Sequence, residues 1–348
     1  MESERVRSGF LPDRTIHLHP TQTCNLACAH CYSESGPRER ATLGLPAITR
    51  ALGLLRTEGY GQVSLSGGEP MMYPGLLTLI GEAHAMGYRV TMISNGLFSA
   101  RHLDPVAERV DGIAISFDGL AEQHDAIRGR RGAFEHASAT LRRLAGAGAP
   151  VAAAVSVARE AIPGLPDLVD HLVQCGARAL QIRPVALAGR ARTATSFSPL
   201  TAADQARLFL VVLALQEELQ GSVPLQCDLV PARNLWRQRD DYAALLEASG
   251  PRPLADLVNP LVITSAGALK PMTYDFDDRF VIASIDRTSR ERLDAYKRAG
   301  VEGFRDLIAT AFERLPDDAS FVDWFDHCAR LSGKARPDRR PAAYSFST

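Results

Sequence analysis

Between residues 15 and 185 the chain alternates between short apolar runs and segments of helical periodicity, and this pattern restricts its fold most. The runs rich in β-branched and aromatic residues predict six strands, at 15–20, 62–68, 88–96, 112–119, 150–158 and 179–185. Apolar residues at helical spacing predict helices between them, at 46–59, 74–86, 101–109, 133–148 and 165–176. Strands that alternate with helices form a parallel sheet with the helices packed outside it.

The predicted strands are apolar at nearly every position, which is typical of strands that are buried on both faces. A doubly wound nucleotide-binding sheet would carry Gly-x-Gly-x-x-Gly after its first strand, and the sequence has no such motif there. We therefore predict an α/β fold in which residues 1–190 form a partial (β/α)6 TIM-like barrel.

The pattern changes beyond residue 190. One long amphipathic helix is predicted at 198–220, with a capping signal near Thr201. The segment 257–276 resembles a hairpin that turns at Ala266-Gly267, and two further helices are predicted near 288–298 and 302–314. Residues 191–348 are thus expected to form a second, mixed α+β region, and the polar segment 336–348 is expected to be mobile.

The charge balance excludes two classes of partner. The chain has 39 Lys and Arg residues against 40 Asp and Glu residues, so no net positive field attracts nucleic acid or an anionic membrane. No run approaches the roughly 18 apolar residues of a membrane span, and the first residues lack a signal-peptide pattern. These features predict a cytoplasmic protein, in which thiols stay reduced.

Three of the six cysteines lie together after the first predicted strand: Cys24, Cys28 and Cys31, with the spacing C-x3-C-x2-C. Clustered cysteines in a reducing compartment indicate a metal site or catalysis rather than disulfides. A structural zinc site would need a fourth ligand, which His17, His19 or His30 could supply. Alternatively, three thiolates match three irons of a [4Fe–4S] cluster and leave the fourth iron open.

Polar or glycine-rich residues also follow the next three predicted strands. These segments, called the strand exits here, are Ser66 to Pro70 after the second strand, Ser94 to Gly96 after the third, and Ser116 to Gly119 after the fourth. In α/β barrels the loops at the carboxyl ends of the strands converge on one rim and carry the active site. We therefore expect these exits and the cysteine loop to lie together.

With Gly-Gly-Glu-Pro at residues 67–70 beside the cysteine loop, residues 14–190 resemble the radical S-adenosylmethionine (SAM) enzymes. The stretch from Ser116 to Arg128, which includes Asp118, Gly119, His124 and Asp125, resembles the peptide-modifying and sulfatase-maturing branch that often carries a SPASM or Twitch extension. The resemblance implies that Cys24, Cys28 and Cys31 hold one [4Fe–4S] cluster whose free iron binds SAM. Reductive cleavage of SAM would then give a 5′-deoxyadenosyl radical that abstracts hydrogen from a substrate.

The resemblance also implies roles for individual residues in binding SAM. Ser66, Gly67, Gly68 and Glu69 match the segment that holds the methionyl ammonium, and a carboxylate suits that group. Ser116 and Arg128 match the positions that bind the SAM carboxylate, since Arg offers a forked donor. The remaining expected contacts are His30 to adenine, Asn95 and Ser156 to ribose, and Ile182 with Leu180 as an apolar adenine wall. The alternative roles are a tight glycine turn for residues 66–69, a solvated surface position for Arg128, and ordinary core packing for the residues on strands.

The C-terminal region departs from the pattern of that branch. SPASM and Twitch extensions bind auxiliary clusters through several cysteines, whereas residues after 190 include only Cys227 and Cys328. Met272 follows Pro271 where a cysteine is usual, so we expect no auxiliary cluster and a region that covers the barrel mouth. Substrate contacts are expected from Arg183, Asp228 and Tyr274. Cys227 or Cys328 could donate hydrogen to a substrate radical, although buried cysteines more often act as small hydrophobic residues.

Three functions stay open at the level of the sequence. The branch resemblance favours a radical SAM enzyme that acts on a ribosomally made peptide, with an electron donor such as flavodoxin or ferredoxin. The roughly fifteen residues before the first strand are fewer than a leader-binding domain needs, which argues for the alternative of a small metabolite such as a sugar, nucleoside or amino acid. A non-catalytic iron–sulphur or zinc protein is the third possibility. No nucleic-acid or membrane partner is expected.

Overall fold

The computed structural model describes residues 14–247, 252–317 and 320–333, so the segment 336–348 that was predicted to be mobile lies outside the described residues. Six strands follow one another in the order of the chain, each parallel to the next. They are β1 (Thr15–Leu18), β2 (Gln62–Leu65), β3 (Arg89–Ser94), β4 (Gly112–Phe117), β5 (Val151–Val157) and β6 (Leu180–Pro184). The predicted parallel α/β barrel sheet is confirmed.

Helices connect these strands and bury their apolar stripes against the sheet. They are α1 (Leu45–Thr57), α2 (Leu76–Ala85), α3 (Ala100–Ala107), α4 (Ala121–Arg128), α5 (Ala133–Gly146) and α6 (Leu165–Gln174). In α1, for example, Ile48, Leu52 and Leu55 recur at helical spacing and are fully buried. The sequence did not predict α4 as a helix, and it places His124 and Arg128, four residues apart, on one face.

The strands have two different faces. On β5, Val151, Ala153, Val155 and Val157 are buried, whereas the alternate residues, including Ser156, are partly exposed. Because side chains alternate across a strand, the first set packs on the outer helices and the second faces the barrel interior. Small interior residues keep that side of the sheet open.

The chain beyond residue 190 contains both helices and strands, as predicted. Its elements are α7 (Ala202–Leu219), β7 (Leu225–Cys227), β8 (Leu229–Pro231), α8 (Ala232–Arg237), α9 (Arg239–Glu247), β9 (Leu261–Ile263), β10 (Ala268–Pro271), β11 (Ala283–Ser284), α10 (Arg290–Ala295), α11 (Val301–Glu313), β12 (Phe321–Asp323) and α12 (Trp324–Leu331). The cap at Thr201 is present, since its side chain accepts a hydrogen bond from the Asp204 amide. Of the described helices, none has both the length and the hydropathy needed to cross a membrane.

Strands from both parts of the chain form one ten-stranded sheet, in the order β11-β10-β9-β1-β2-β3-β4-β5-β6-β7. Strand β9 runs parallel to β1, and β7 runs parallel to β6, so the later segment covers both edges of the six-stranded sheet. The predicted hairpin is β9–β10, which turns at Gly267 with φ +83°. Strands β8 and β12 form a separate antiparallel pair. A domain boundary at residue 190 would therefore cut through one continuous sheet. The division of the chain into two domains stays a prediction.

Candidate functional site

The three clustered cysteines lie in a loop that leaves the carboxyl end of β1. Cys24 and Cys28 are buried and Cys31 is half-buried. Burial, with smaller contributions from Glu69, Cys28 and Cys31, raises the pKa of Cys24 to about 12. Burial likewise raises the pKa of Cys28 to about 11. Neighbouring thiolates repel one another, and a metal centre supplies the compensating positive charge.

Amide groups of the protein point at these sulfur atoms. The backbone N–H of Leu26 donates to Cys24 Sγ at 3.4 Å, and that of Ser35 donates to Cys31 Sγ at 3.3 Å. Asn95 Nδ2 lies 3.9 Å from Cys24 Sγ. Hydrogen bonds to cysteine sulfur stabilise thiolate ligands and tune the potential of iron–sulfur clusters. The donor set and its amide partners therefore fit a [4Fe–4S] cluster.

A single ion fits this site less well. Across the ranges that the structure describes, no group of three or more His, Cys, Asp or Glu side chains is arranged to hold one metal ion. His19, one of the residues considered as a fourth zinc ligand, instead stacks on Tyr274 with ring centroids 4.8 Å apart. The zinc alternative thus gains no support from the geometry.

Gly67 and Gly68 hold the cysteine loop against the end of β2. The N–H groups of Gly68 and Glu69 donate to the carbonyl oxygens of Thr21 and Thr23, both at 2.9 Å. A Cβ at Gly68 would lie 2.3 Å from the Thr23 oxygen, and Gly67 has φ +111°. Only glycine permits this close approach of two backbones. The N–H groups of Gly68 and Glu69 thus hold the cysteine loop, and the binding of the methionyl ammonium by residues 66–69 stays a prediction.

Glu69 is almost fully buried beside this loop. Its carboxylate accepts hydrogen bonds from the Asn95 amide at 2.8 Å, the Ser94 hydroxyl at 3.0 Å and the Met71 amide at 3.1 Å. Burial raises the pKa of Glu69 to about 7, although these three donors partly offset the shift. A cation placed beside Glu69 would favour its ionised form.

Asp118 joins three motif residues in a buried polar cluster. It is fully buried, and it accepts hydrogen bonds from Arg128 Nε at 2.5 Å and from His30 Nε2 at 2.7 Å. His124 Nδ1 lies 3.7 Å from the same carboxylate and accepts a bond from the Asp118 amide. Burial by itself would raise the pKa of Asp118, but Arg128, then His30 and His124, hold it well below its usual range.

Arg128 is therefore a buried cation whose Nε is bound by Asp118, and it is not the solvated surface residue of the alternative interpretation. Among the described residues, the one hydrogen bond of the Arg128 side chain is from Nε to Asp118, so its terminal nitrogens have no partner there. Its charge also lowers the pKa of Cys28, which places it next to the cysteine loop. This geometry suits an anionic group bound beside the thiols.

The other expected SAM contacts are divided between the two faces of the sheet. Ser116 pairs in register with Ala154, and Ser156 pairs with Arg183; all four belong to the partly exposed, barrel-facing rows. Ile182 is fully buried on the opposite face with the outer helices, so the structure does not bring it to the site. The Asn95 side chain bonds Asn25 Oδ1 at 2.7 Å and accepts from the Leu97 amide.

The three expected substrate residues lie at the carboxyl end of the barrel, its mouth: Arg183 is near the end of β6, Asp228 follows β7, and Tyr274 stacks on His19 just after β1. Arg183 Nε lies 3.7 Å from Asp228 Oδ2, and Gln181 Nε2 donates to both oxygens of that carboxylate at 3.1 and 3.2 Å. Tyr274 stacks on His19 and also packs edge-on against Tyr32 at 5.7 Å. Asp228 and Tyr274 come from the C-terminal part of the chain, so that part contributes to the mouth.

Neither expected hydrogen donor lies at this mouth. Cys328 is fully buried in α12 and belongs to the main hydrophobic core. Cys227 pairs in register with Ile182, so it shares the helix-facing side of the sheet. Burial raises the pKa of Cys227 to about 12, which keeps its thiol protonated. Cys227 thus lies on the opposite face of the sheet from Arg183, although it is close enough to Asp228 for that carboxylate to contribute to its raised pKa.

Two parts of the site were missed from the sequence. One is the aromatic group of Tyr274 with Tyr32 and with His19, which the sequence suggested only as a zinc ligand; the other is Arg190, after β6, which bonds the cysteine loop. The signal for Arg190 was visible, since Gly-Arg-Ala-Arg at 189–192 follows a strand that ends at the same rim. His19 and Tyr32 flank the cysteine loop but carry no motif of their own.

Comparison with known proteins agrees with this geometry. The family model described as the radical SAM superfamily matches residues 18–171. The sporulation killing factor maturation protein SkfB of Bacillus subtilis is 28% identical over 176 residues, which are 50% of this chain and 43% of that protein. The GTP 3′,8-cyclase of Chlorobaculum tepidum is 30% identical over 153 residues, 41% of this chain and 46% of the cyclase. The matched part thus spans less than half of each relative.

The fold is shared with solved structures. Streptococcus suis SuiB bound to S-adenosylmethionine aligns with a TM-score of 0.66 and 14% identity, covering 85% of this chain and 68% of SuiB. The same protein bound to its precursor peptide SuiA aligns with a TM-score of 0.64, 13% identity, and 84% and 66% coverage. The solved structures show that the fold is shared, and the family model shows that residues 18–171 are similar to the radical SAM superfamily.

Proposed function

We propose that the chain is a radical SAM enzyme that carries one [4Fe–4S] cluster on Cys24, Cys28 and Cys31. The observation that carries the proposal is the group of three close thiols, pinned by Gly68 and flanked by the buried Arg128. A binding protein would need the thiols alone, whereas this rim also has an anion site at Arg128 and a carboxylate at Glu69. The cluster and SAM, when bound, supply a 5′-deoxyadenosyl radical that removes hydrogen from a substrate.

The protein residues then bind and orient SAM. Arg128 binds the SAM carboxylate through its terminal nitrogens, and Asp118 fixes the direction of the guanidinium. Glu69 accepts the methionyl ammonium on its remaining lone pair, and this contact favours the ionised carboxylate. Ser116 and Ser156, on the barrel-facing rows, reach the carboxylate and the ribose, with Asn95 at the ribose side. His30 supports the adenine end through its backbone.

The substrate enters at the mouth formed by Arg183, Asp228 and Tyr274. Residues beyond 190 cover this mouth and carry no auxiliary cluster, in the second region that we infer for 191–348. The ion pair and the aromatic group suit a substrate with polar and planar parts. We favour a ribosomally made peptide, because SkfB is named a maturation protein and SuiB is seen with a precursor peptide.

The alternative substrate is a small metabolite, which the similarity to GTP 3′,8-cyclase favours. The two can be separated by deuterium transfer. A deuterated peptide encoded beside this gene should pass deuterium to 5′-deoxyadenosine, whereas deuterated GTP should not. In the cell, a flavodoxin or ferredoxin of the cytoplasm would supply the electron.

Anaerobic reconstitution tests the proposed function. The full chain should take up about four irons, the content of one such cluster, and should release 5′-deoxyadenosine from SAM with dithionite. Alanine at Cys24, Cys28 or Cys31 should abolish both. Cys175→Ala is the matched control, because Cys175 is equally buried but packs beside His171 on the outer helix α6. Uptake of eight irons, or normal SAM cleavage by the triple alanine variant, would contradict the assignment.

A further inference from the structure

The segment that follows β6 lies directly against the cysteine loop. It forms a short 3-10 helix, Gly189–Arg192, and its Arg190 makes three hydrogen bonds to that loop. The Arg190 backbone N–H donates to the carbonyl of Cys31 at 3.0 Å, Nε donates to the carbonyl of Cys28 at 2.9 Å, and Nη2 donates to the carbonyl of Ser35 at 2.7 Å. Two of the three acceptors belong to the expected cluster ligands themselves.

Gly189 makes this approach possible. Its φ is +51°, and a Cβ at this position would lie 2.4 Å from the Tyr32 carbonyl oxygen and 2.5 Å from that of Cys31. No side chain fits there without moving one backbone away from the other. The Gly189-Arg190 pair is therefore adapted to contact with the cysteine loop, in the way that Gly68 is from the opposite side.

We propose that Arg190 is a positioning residue for the iron–sulfur cluster, which it serves by clamping the Cys28 and Cys31 peptide groups and by placing a positive charge beside the cluster. The inference rests on the proposed function. The carbonyl bonds fix the peptide planes at two ligands, and the third bond fixes Ser35, whose N–H donates to Cys31 Sγ. A loop held in this way keeps its three sulfur atoms in place when the cluster is absent.

The charge of Arg190 has its own consequence. The guanidinium Nε lies 2.9 Å from the Cys28 carbonyl oxygen, so its positive charge lies directly beside the expected ligand set. Reduction adds a negative charge to a cluster, and a nearby cation stabilises the reduced form. Arg190 should thus hold the midpoint potential above the value that the same loop would give without it.

Arg192, two residues further along the same short helix, provides a matched control. Its Nη2 lies 2.7 and 2.6 Å from the two oxygens of Asp275, next to Tyr274 in the C-terminal part. Both arginines are long-range anchors of one segment, but only Arg190 contacts the cysteine loop. Loss of Arg192 should therefore leave the cluster unchanged.

The test compares reconstituted Arg190→Gln, Arg190→Lys and Arg192→Gln with the wild-type full chain. We expect a chelator to remove iron about tenfold or more faster from both Arg190 variants, because each loses charge-assisted bonds to the loop. The midpoint potential from an EPR titration should become more negative in Arg190→Gln and should stay near the wild-type value in Arg190→Lys. Arg192→Gln should match the wild type in both measurements.

Wild-type iron loss and wild-type potential in Arg190→Gln would overturn the proposal, as would equal changes in Arg192→Gln. Failure of the proposed function would look different, since the wild type itself would then take up no cluster. Circular dichroism of each cluster-free chain checks folding. If Arg190→Gln does not fold, the iron-loss rate of Arg190→Lys decides: a faster rate supports the clamp and a wild-type rate overturns it.

Discussion

Asp118→Asn removes the charge from the carboxylate that holds Arg128 and His30. Asp118 is fully buried and Arg128 nearly so, and the bond between them is 2.5 Å long. The substitution keeps the shape of the side chain but leaves a buried guanidinium without its counter-charge. Breaking one partner of a buried ion pair costs about 3–5 kcal/mol, a large part of a total stability of about 5–15 kcal/mol.

Urea denaturation of the cluster-free chain at pH 7, followed by circular dichroism, measures this loss as a change in the free energy of unfolding. Asp104→Asn is the matched control, because Asp104 also bonds an arginine, Arg143, but on an exposed surface. Solvent screens that pair, so its loss should change stability little. Our reasoning would be refuted if Asp118→Asn lost no more stability than Asp104→Asn.

Acid provides a second measurement on the same pair of proteins. Because the pKa of Asp118 is lowered by folding, its contribution is fully present above the unfolded value of 3.8 and disappears as the pH falls below it. The stability gap between the wild type and Asp118→Asn should therefore narrow below about pH 4. A gap that stayed constant or widened on acidification would show that the charge of Asp118 is not the source of the difference.

Four further predictions concern the site and its support. Arg128→Ala should weaken SAM binding about ten- to hundredfold in a calorimetric titration while the iron content stays unchanged; unaltered affinity would exclude Arg128 from the SAM site. Glu69→Gln should abolish one pH-dependent component of stability: the raised pKa of about 7 means that the wild type loses stability relative to the variant as the pH rises from 4.5 to 7. Parallel pH profiles would disprove that assignment. Gly68→Ala should prevent normal cluster uptake because its Cβ would lie 2.3 Å from the Thr23 oxygen, whereas Gly53→Ala in α1, with nothing within 4 Å, should take up iron normally. Truncation after residue 195 should give an insoluble or unfolded chain, because it exposes the edges of β1 and β6 that β9 and β7 cover; a soluble barrel with a native melting transition would contradict this.

The sequence alone determined the features that depend on neighbouring residues. Spacing predicted the six strands and most of the helices, and the glycine at 267 predicted the hairpin turn. The cysteine loop, Gly-Gly-Glu-Pro and the stretch from Ser116 to Arg128 were visible as short motifs, because their chemistry is written within a few residues. Helices α4, α8, α9 and α12 and strands β7, β8, β11 and β12 were missed, since elements this short have almost no periodicity.

Only the tertiary structure decided which of these residues meet. Ile182 and Arg183 are neighbours in the chain, yet one lies in the outer core and the other faces the barrel, because a shift of one residue reverses the face of a strand. Arg190 reaches Cys28 across 162 residues, and β9 joins β1 from the far end of the chain. Such contacts depend on the packing of the whole sheet, and no local pattern of spacing or propensity contains that information.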